Sequence, residues 1–409
     1  MLKLADLSFR FVFVLGALYS LPPRAAGQFG SLNALIAYYV FFVGFERYGV
    51  IQRKIVAGDA AEIHRVLRTA LHFFAINHAA VLPVLLVIAS AWLKIGATGL
   101  YLLFVIAIGE HIAVDSYRIA LAAPRFRALL LVAVGRSALI TAFGVVLLVI
   151  SRGAERLLTQ VLWVWALGSL AGIAAFALAA SRAVKGLPPI RPRRLTLQEF
   201  FGQYGASAAH FGIGLLALCS GQIDRIVVGT VSNLETAGFY FKNLFVASAV
   251  YQATTVILQN RLLPDIYREI ALGSPRVAAA ITARASRRLA VIYGGAMLIV
   301  GGGLYAARMI PMVERQGLQS GFVMILLGAF MLRAIGDFNC VFMNAASCER
   351  YILTAHGATV FVGVVANTVL TRAYGVGGTV ASMMIASASL IAFTQWFKVR
   401  TLKALLRSQ

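Results

Sequence analysis

The sequence predicts an all-α polytopic membrane protein of about twelve transmembrane helices in two six-helix bundles. Three observations carry that expectation. The first is composition: 60% of the 409 residues are hydrophobic, 13% are charged, and the mean hydropathy is +0.83. A soluble domain keeps about a quarter of its residues charged, so no polar shell covers this chain in water. The second is the recurrence, along the whole chain, of mostly apolar stretches of roughly 20 residues, the length that spans a bilayer. The third is a polar break near the middle, Arg182 to Glu199, holding Pro188, Pro189, Arg191, Pro192, Arg193 and Arg194. Six apolar stretches lie on each side of it.

In order, the first half is expected to span at Leu7–Leu21, Leu32–Val50, Leu71–Leu93, Gly99–Tyr117, Leu129–Ile150 and Leu158–Ala180. The second half is expected to span at Phe201–Gly229, Gly238–Leu258, Leu289–Ala307, Gly321–Phe342, Ile352–Leu370 and Thr379–Phe397. The first span is read as retained, because Arg10 interrupts it and Pro22-Pro23-Arg24 makes a poor cleavage site. The predicted organisation is therefore a bundle over 1–182, a basic cytoplasmic linker over 183–199, and a second bundle over 200–409.

The formal net charge of +22 raises the question of nucleic acid. Basic nucleic-acid binders concentrate Lys and Arg on a solvated face beside aromatic platforms, whereas here they fall mainly in short breaks between apolar stretches. With the N-terminus in the cytoplasm, the cytoplasmic segments and termini collect about 24 of the 37 basic residues and the opposite loops about 7, as the positive-inside rule requires. The main groups are Arg53, Lys54, Arg65 and Arg68; Arg191, Arg193 and Arg194; Arg284, Arg287 and Arg288; and Lys398, Arg400, Lys403 and Arg407. No nucleic-acid partner is expected. The expected location is a bacterial inner membrane, with both termini cytoplasmic.

A fragment recurs at an offset of 211: Ala26-Gly27-Gln28-Phe29 and Ala237-Gly238-Phe239-Tyr240. Each follows a short extracytoplasmic loop and stands at the start of the second helix of its half. Two six-helix copies enter the membrane in the same direction, which implies a pseudo-two-fold axis along the membrane normal and a cavity between the bundles.

Motifs of soluble chemistry are absent: there is no P-loop, HExxH, GxSxG or dinucleotide fingerprint, and no cofactor is expected. Cys219, Cys340 and Cys348 show no metal-ligand spacing and read as small buried hydrophobes. The short extracytoplasmic loops leave no room for the catalytic carboxylates of a membrane polymerase or ligase, so the chain is not expected to be an enzyme. Gly301-Gly302-Gly303 reads as a helix-packing patch.

What remains is charge inside the apolar spans, which costs at least about 2.5–3.5 kcal/mol per residue and calls for a reason. The basic set is Arg10, Arg47, Arg136, Arg225, Lys242 and Arg333; the acidic set is Glu46, Glu110, Asp115, Asp224 and Asp337. Arg333 and Asp337 are four apart and Asp115 and Arg118 three apart, so each pair is expected to neutralise itself on one helix face. Asp224 and Arg225 are adjacent and cannot. Arg10, Arg47, Arg225 and Lys242 are read as cations with no acidic partner one turn away. They fall on helices 1, 2, 7 and 8, the corresponding pairs of the two halves. Cations lining a cavity suit a pyrophosphate, which Arg grips in bidentate fashion; snorkelling to a headgroup is the competing reading for Arg10 and Arg47. His111, between Glu110 and Asp115, makes a small cluster suited to relaying a proton or to a buried hydrogen-bonded patch.

Several of these stretches are similar to a known family. Gln222-Ile223-Asp224-Arg225-Ile226-Val227-Val228-Gly229 followed by Leu234 to Tyr240 resembles the Asp-Arg…Gly…Gly-x-Tyr passage of polysaccharide-transport flippases. Arg261 to Tyr267 resembles their Pro-containing cytoplasmic segment after helix 8. Ala373-Tyr374-Gly375-Val376-Gly377-Gly378-Thr379, with Ala381-Ser382, resembles the start of their helix 12, although Thr379 stands where Ala is common. Gly27 to Gly30 resembles the start of their helix 2. These flippases belong to the multidrug/oligosaccharidyl-lipid/polysaccharide (MOP) exporter superfamily. The resemblance implies a V-shaped pair of bundles working by alternating access. The implied cargo is an undecaprenyl-pyrophosphate-linked O-antigen or exopolysaccharide unit, moved from the cytoplasmic to the periplasmic leaflet alongside polysaccharide polymerase or assembly proteins. On this reading Arg10, Arg47, Arg225, Lys242 and Arg333 hold the pyrophosphate, and Glu110, Asp115, Asp224 and Asp337 are available for ion or proton coupling, with no metal site. The rival functions are a drug or cation exporter of the same superfamily, a membrane polymerase or ligase, and a non-transporting scaffold.

Overall fold

In a computed structural model of the chain, residues 2–48, 51, 54–55, 60–122, 124–151, 156–185, 197–307 and 319–407 are described. Nearly all are helical. The helices are α1 (Leu2–Ser20), α2 (Pro23–Gly44), α3 (Ala60–Leu93), α4 (Ala97–Ala122), α5 (Ala128–Ile150), α6 (Leu157–Val184), α7 (Leu197–Val231), α8 (Leu234–Ala271), α9 (Pro275–Ala307) and α10 (Ser320–Ala345). The last helical stretch, Glu349–Arg407, breaks at Gly375, which adopts φ 56° and ψ −133°. We number its arms α11 (349–374) and α12 (376–407). Each predicted span falls on one of these segments, and the fold class is as expected.

Among the described residues, nine helices are long and apolar enough to cross a membrane, α11 and α12 counting together. α1 and α8 fall outside that set because they are more polar: α1 holds Lys3, Asp6 and Arg10 in 19 residues, and α8 mixes Lys242 with Ser, Thr, Tyr and Gln.

The ends of several helices differ from expectation. Hydropathy marks the apolar stretch, whereas the backbone continues into polar flanks. α3 begins at Ala60, three turns before the predicted Leu71, and α8 and α9 are longer by similar amounts. α8 runs through Pro264, so the segment Arg261–Tyr267 is helical rather than a separate connector. Its start is capped by Asn233, whose side chain accepts from the Thr236 amide at 2.8 Å. α2 begins at Pro23, a residue preset for the first helical turn, not at Leu32. It also stops at Gly44 rather than Val50, because Phe45 (φ 47°) and Glu46 (φ 51°) turn left-handed. The linker prolines and arginines at 188–194, and Arg53, lie outside the described residues.

The chain divides into two compact units, Met1–Leu21 with Ser31–Phe211, and Pro22–Gly30 with Gly212–Gln409. In the first unit α1 packs on α5, α4 on α5 and α6, α5 on α6, and α3 on α4. The opening turns of α7 belong to this unit for an aromatic reason. Phe211 stacks on Phe45 at 3.9 Å, and Tyr204 meets Phe45 and Phe73 at 4.6 and 5.0 Å between ring centroids. In the second unit α10 packs on α8, α9 and the α11–α12 stretch. The start of α2 joins this unit through the repeated fragment itself. A β-carbon added to Gly27 would lie 1.8 Å from the Leu234 carbonyl oxygen, and one added to Gly238 would lie 2.0 Å from that of Pro23. Pro23 pairs with Leu234, and Gly27 with Gly238, at the same offset of 211. The two copies of the fragment therefore meet one another backbone to backbone, and only glycine permits it.

Gly301-Gly302-Gly303 departs from the expected packing patch. Gly301 faces Met324, but nothing lies within 4 Å of a β-carbon on Gly302 or Gly303.

Candidate functional site

In the first unit the buried acid Glu110 on α4 gathers groups from three other helices. Arg10 of α1 donates to it at 2.9 Å, Trp165 of α6 at 2.8 Å, and Arg136 of α5 makes a very short contact. Arg136 also donates to Ser169 Oγ at 2.9 Å. Ser137 donates to Asp6 at 2.5 Å, and Asp6 lies 3.3 Å from Arg10 Nε. The cluster balances two guanidinium groups against two carboxylates. Arg10 is thus not an unpartnered cation, and the sequence held the signal, since Asp6 stands one turn before it. The contribution of Arg136, Ser137 and Trp165 was not visible in local spacing, because it depends on which helices become neighbours.

A second group surrounds the left-handed end of α2. Arg47 is buried, its guanidinium 4.6 Å above the Phe73 ring, and its Nη1 has no hydrogen-bond partner among the described residues. Asn77 donates to the Val43 carbonyl at 2.9 Å and accepts a short hydrogen bond from Tyr204. Deeper in, Tyr39 bonds His78 Nδ1, and the His78 ring stands edge-on to His111 at 4.8 Å. His111 Nε2 lies 3.3 Å from Asp115 Oδ2, and Arg118 reaches the other carboxylate oxygen at 3.4 Å. The predicted Asp115–Arg118 pair is therefore formed. His78 was missed as part of this cluster, because α3 and α4 are separate in sequence.

In the second unit Arg333 does not pair with Asp337 as expected. Its guanidinium crosses to α7, donating to the Ser220 carbonyl at 2.6 Å, the Ala217 carbonyl at 3.1 Å and Ser220 Oγ at 2.9 Å. Carbonyl dipoles, reached past the side-chain-free Gly221, replace the carboxylate. Asp337 instead accepts from Tyr251 at 2.5 Å. Asp224 accepts a short hydrogen bond from Tyr240, while its neighbour Arg225 makes no ion pair among the described residues, and Arg225 Nε is buried without a hydrogen-bond partner. Lys242 is buried on α8. Lys398, one of the basic group expected on the cytoplasmic flank, is buried and donates to Asn339 Oδ1 at 3.1 Å. The three cysteines are half-buried and form no disulfide among the described residues, with Cys340 Sγ 3.6 Å from His356 Nε2. Among the described residues no group of three His, Cys, Asp or Glu is placed to hold a metal.

The predicted residues thus fall into several separate groups. Arg10 with Glu110, Arg47, and Asp115 with its histidines lie in the first unit; Arg225 with Asp224, Arg333 with Asp337, and Lys242 lie in the second.

No protein-family model matches the chain, and no curated protein does. Solved structures do. A multidrug resistance MATE family transporter of the MOP superfamily is 12% identical and aligns with a TM-score of 0.72 over 98% of this chain and 96% of its own. The lipid II flippase MurJ is 11% identical, TM-score 0.63, over 99% and 89%. A MOP superfamily transporter from Pyrococcus furiosus, described as having a binding pocket of reverse polarity, is 15% identical, TM-score 0.53, over 99% and 96%. Along almost its whole length, the chain has the multi-pass, all-helical membrane fold of the MOP superfamily transporters.

Proposed function

We propose that the chain is a flippase that carries undecaprenyl-pyrophosphate-linked oligosaccharide, an O-antigen or exopolysaccharide unit, from the cytoplasmic to the periplasmic leaflet of a bacterial inner membrane. Both termini are then cytoplasmic, and transport runs by alternating access. The observation that carries the reading is that Arg47 in the first unit and Arg225 in the second each have a buried nitrogen that no group among the described residues accepts from. A buried, unsatisfied charged donor is costly. A phosphate oxygen supplies the missing acceptor, and guanidinium geometry favours it. Lys242 and Arg333 add positive charge to the second unit, whereas Arg10 contributes less, since Glu110 and Asp6 already occupy it. The similar folds include a lipid II flippase and a MOP superfamily transporter whose binding pocket of reverse polarity is described as suggesting a different function, so the fold is compatible with a flippase.

A drug or cation exporter of the same superfamily needs a carboxylate free to meet an organic cation. Here Glu110 is held by two arginines, Asp224 by Tyr240, Asp337 by Tyr251 and Asp115 by Arg118. Those partners argue against it.

The test is charge removal in the native host. Arg47→Ala and Arg225→Ala should insert normally, abolish surface glycan, and leave lipid-linked intermediates on the cytoplasmic face. Wild-type surface glycan in both variants refutes the assignment.

A further inference from the structure

The cargo reading uses buried cations and leaves an exposed group of arginines near the start of α9 without a task. The first half of α9 is amphipathic. At 100° per residue, Ala278, Thr282, Ala285, Leu289 and Tyr293 fall within about 80° of one another, and all are buried. Ala278 enters a core with Ile266, Phe342, Ile352 and Phe397. On the opposite side Arg284, Arg287 and Arg288 lie within about 100° of one another and are exposed. α9 contains no Asp or Glu. Among the described residues, none of these three guanidinium groups makes an ion pair or a hydrogen bond. The neighbouring α8 differs: its exposed Arg268 is paired with Asp265 at 3.1 Å and Glu269 at 3.7 Å.

The continuation of this face tells what covers it. Val291, 75% exposed, and Leu298, 79% exposed, occupy the same arc of α9, and Pro275–Leu304 is apolar enough to cross a membrane. Large apolar side chains this open belong against acyl chains. The arginines therefore adjoin the lipid-facing strip directly. From Arg284 to Arg288 the helix rises about 6 Å, which matches one headgroup layer, about 5–7 Å thick on each side of the hydrocarbon core. Arg276 stands about 12 Å further along the helix, beyond that layer. α12 shares the same core through Phe397. It marks the boundary with the exposed Trp396, whose ring lies 4.2 Å from the Arg400 guanidinium, an aromatic suited to the membrane–water interface.

We infer that Arg284, Arg287 and Arg288 form a binding site for the headgroup of an anionic phospholipid, which fastens the outer face of α9 to one leaflet. The inference needs the membrane fold alone and does not involve the cargo. Guanidinium forks match phosphate oxygens. Three positive charges with no carboxylate among them favour a headgroup that brings no cation of its own. Phosphatidylglycerol and diphosphatidylglycerol meet that condition; phosphatidylcholine and phosphatidylethanolamine do not. An acidic cytosolic protein is the poorer occupant, because the arginines border the acyl-facing strip.

The test uses the full-length protein in detergent, with single lipids titrated back and binding read by native mass spectrometry. Phosphatidylglycerol and diphosphatidylglycerol should stay bound under activation that strips phosphatidylcholine. The Arg284→Gln/Arg287→Gln/Arg288→Gln triple variant should raise the dissociation constants of both anionic lipids about a hundredfold, the combined effect of three arginines beside an anionic surface. Arg276→Gln should leave them unchanged. Equal retention of phosphatidylcholine, or undiminished anionic binding in the triple variant, overturns the site. In nanodiscs, adding phosphatidylglycerol to phosphatidylcholine should raise the unfolding midpoint of the wild type by several degrees and that of the triple variant by much less; an equal rise overturns it. If the triple variant does not fold, salt gives the answer in the wild type. High ionic strength should erase the stabilisation by phosphatidylglycerol, because exposed charges are screened, and its persistence overturns the site. A polyglutamate peptide that displaces phosphatidylglycerol from the wild type assigns the face to a cytosolic partner and also overturns it.

Discussion

Glu110 shows how a charge deep in an apolar fold is made tolerable. Arg10, Arg136 and Trp165 supply donors from three helices, so the carboxylate also ties α1, α4, α5 and α6 together. Removing one member of a buried ion pair strands the others, at a cost of about 3–5 kcal/mol. Glu110→Gln, which leaves two arginines facing a neutral amide, should therefore lower the thermal unfolding midpoint in nanodiscs substantially. Arg10→Gln should lower it less, because the Arg10 side chain is 33% exposed and water can take over part of its role. Equal losses in the two variants would show that the cluster is not organised around Glu110. Arg47 belongs to the opposite class, a cation stacked on Phe73 with an open donor. Arg47→Lys keeps the charge but loses the planar fork and the stacking. It should weaken the apparent affinity for the lipid-linked saccharide about tenfold, the worth of one charge-assisted hydrogen bond, as measured by concentration dependence of transfer in vesicles. Unchanged affinity would exclude a bidentate role.

Among the elements, the starts of α2 and α8 are in very close contact, with glycine facing backbone on both sides. Gly27→Val and Gly238→Val should each deplete folded protein in the membrane, because the clash is with a main-chain oxygen that cannot rotate away. Gly302→Ala, where a β-carbon meets nothing within 4 Å, should be neutral or stabilise α9 by about 0.5–1 kcal/mol. Comparable depletion by Gly302→Ala in membrane-fraction immunoblots would contradict the packing. The fragment Ala-Gly-x-aromatic at offset 211 was legible as a repeat; its role as a mutual contact was not, since sequence similarity does not say which copies touch. Hydropathy located the spans because burial in lipid demands apolar length. It misplaced the ends of α3, α8 and α9 because a helix needs only backbone hydrogen bonds to continue past the apolar stretch. At the break of α2, Gly44 marked the place, but the left-handed conformation falls on the next two residues, Phe45 and Glu46, which nothing in their side chains announces. At the site, Asp115–Arg118 followed from i,i+3 spacing, but Arg333 did not follow from i,i+4, because the carbonyls of Ala217 and Ser220 lay on another helix. Tertiary neighbours decide such cases, and spacing along one helix cannot report them.

For the whole molecule, a TM-score of 0.72 over 98% of the chain at 12% identity shows the fold alone, and the proposed flippase function is argued from chemistry. That chemistry is an excess of buried guanidinium over free carboxylate, suited to a diphosphate. The most direct measurement is leaflet transfer of undecaprenyl-pyrophosphate-linked saccharide in sealed vesicles reconstituted with the purified full-length chain, read by the accessibility of the sugar to an external modifying reagent. The account predicts transfer well above that of protein-free vesicles, lost in the Arg47→Ala/Arg225→Ala double variant that still folds. Transfer no faster than in protein-free vesicles, or undiminished in the double variant, would contradict it.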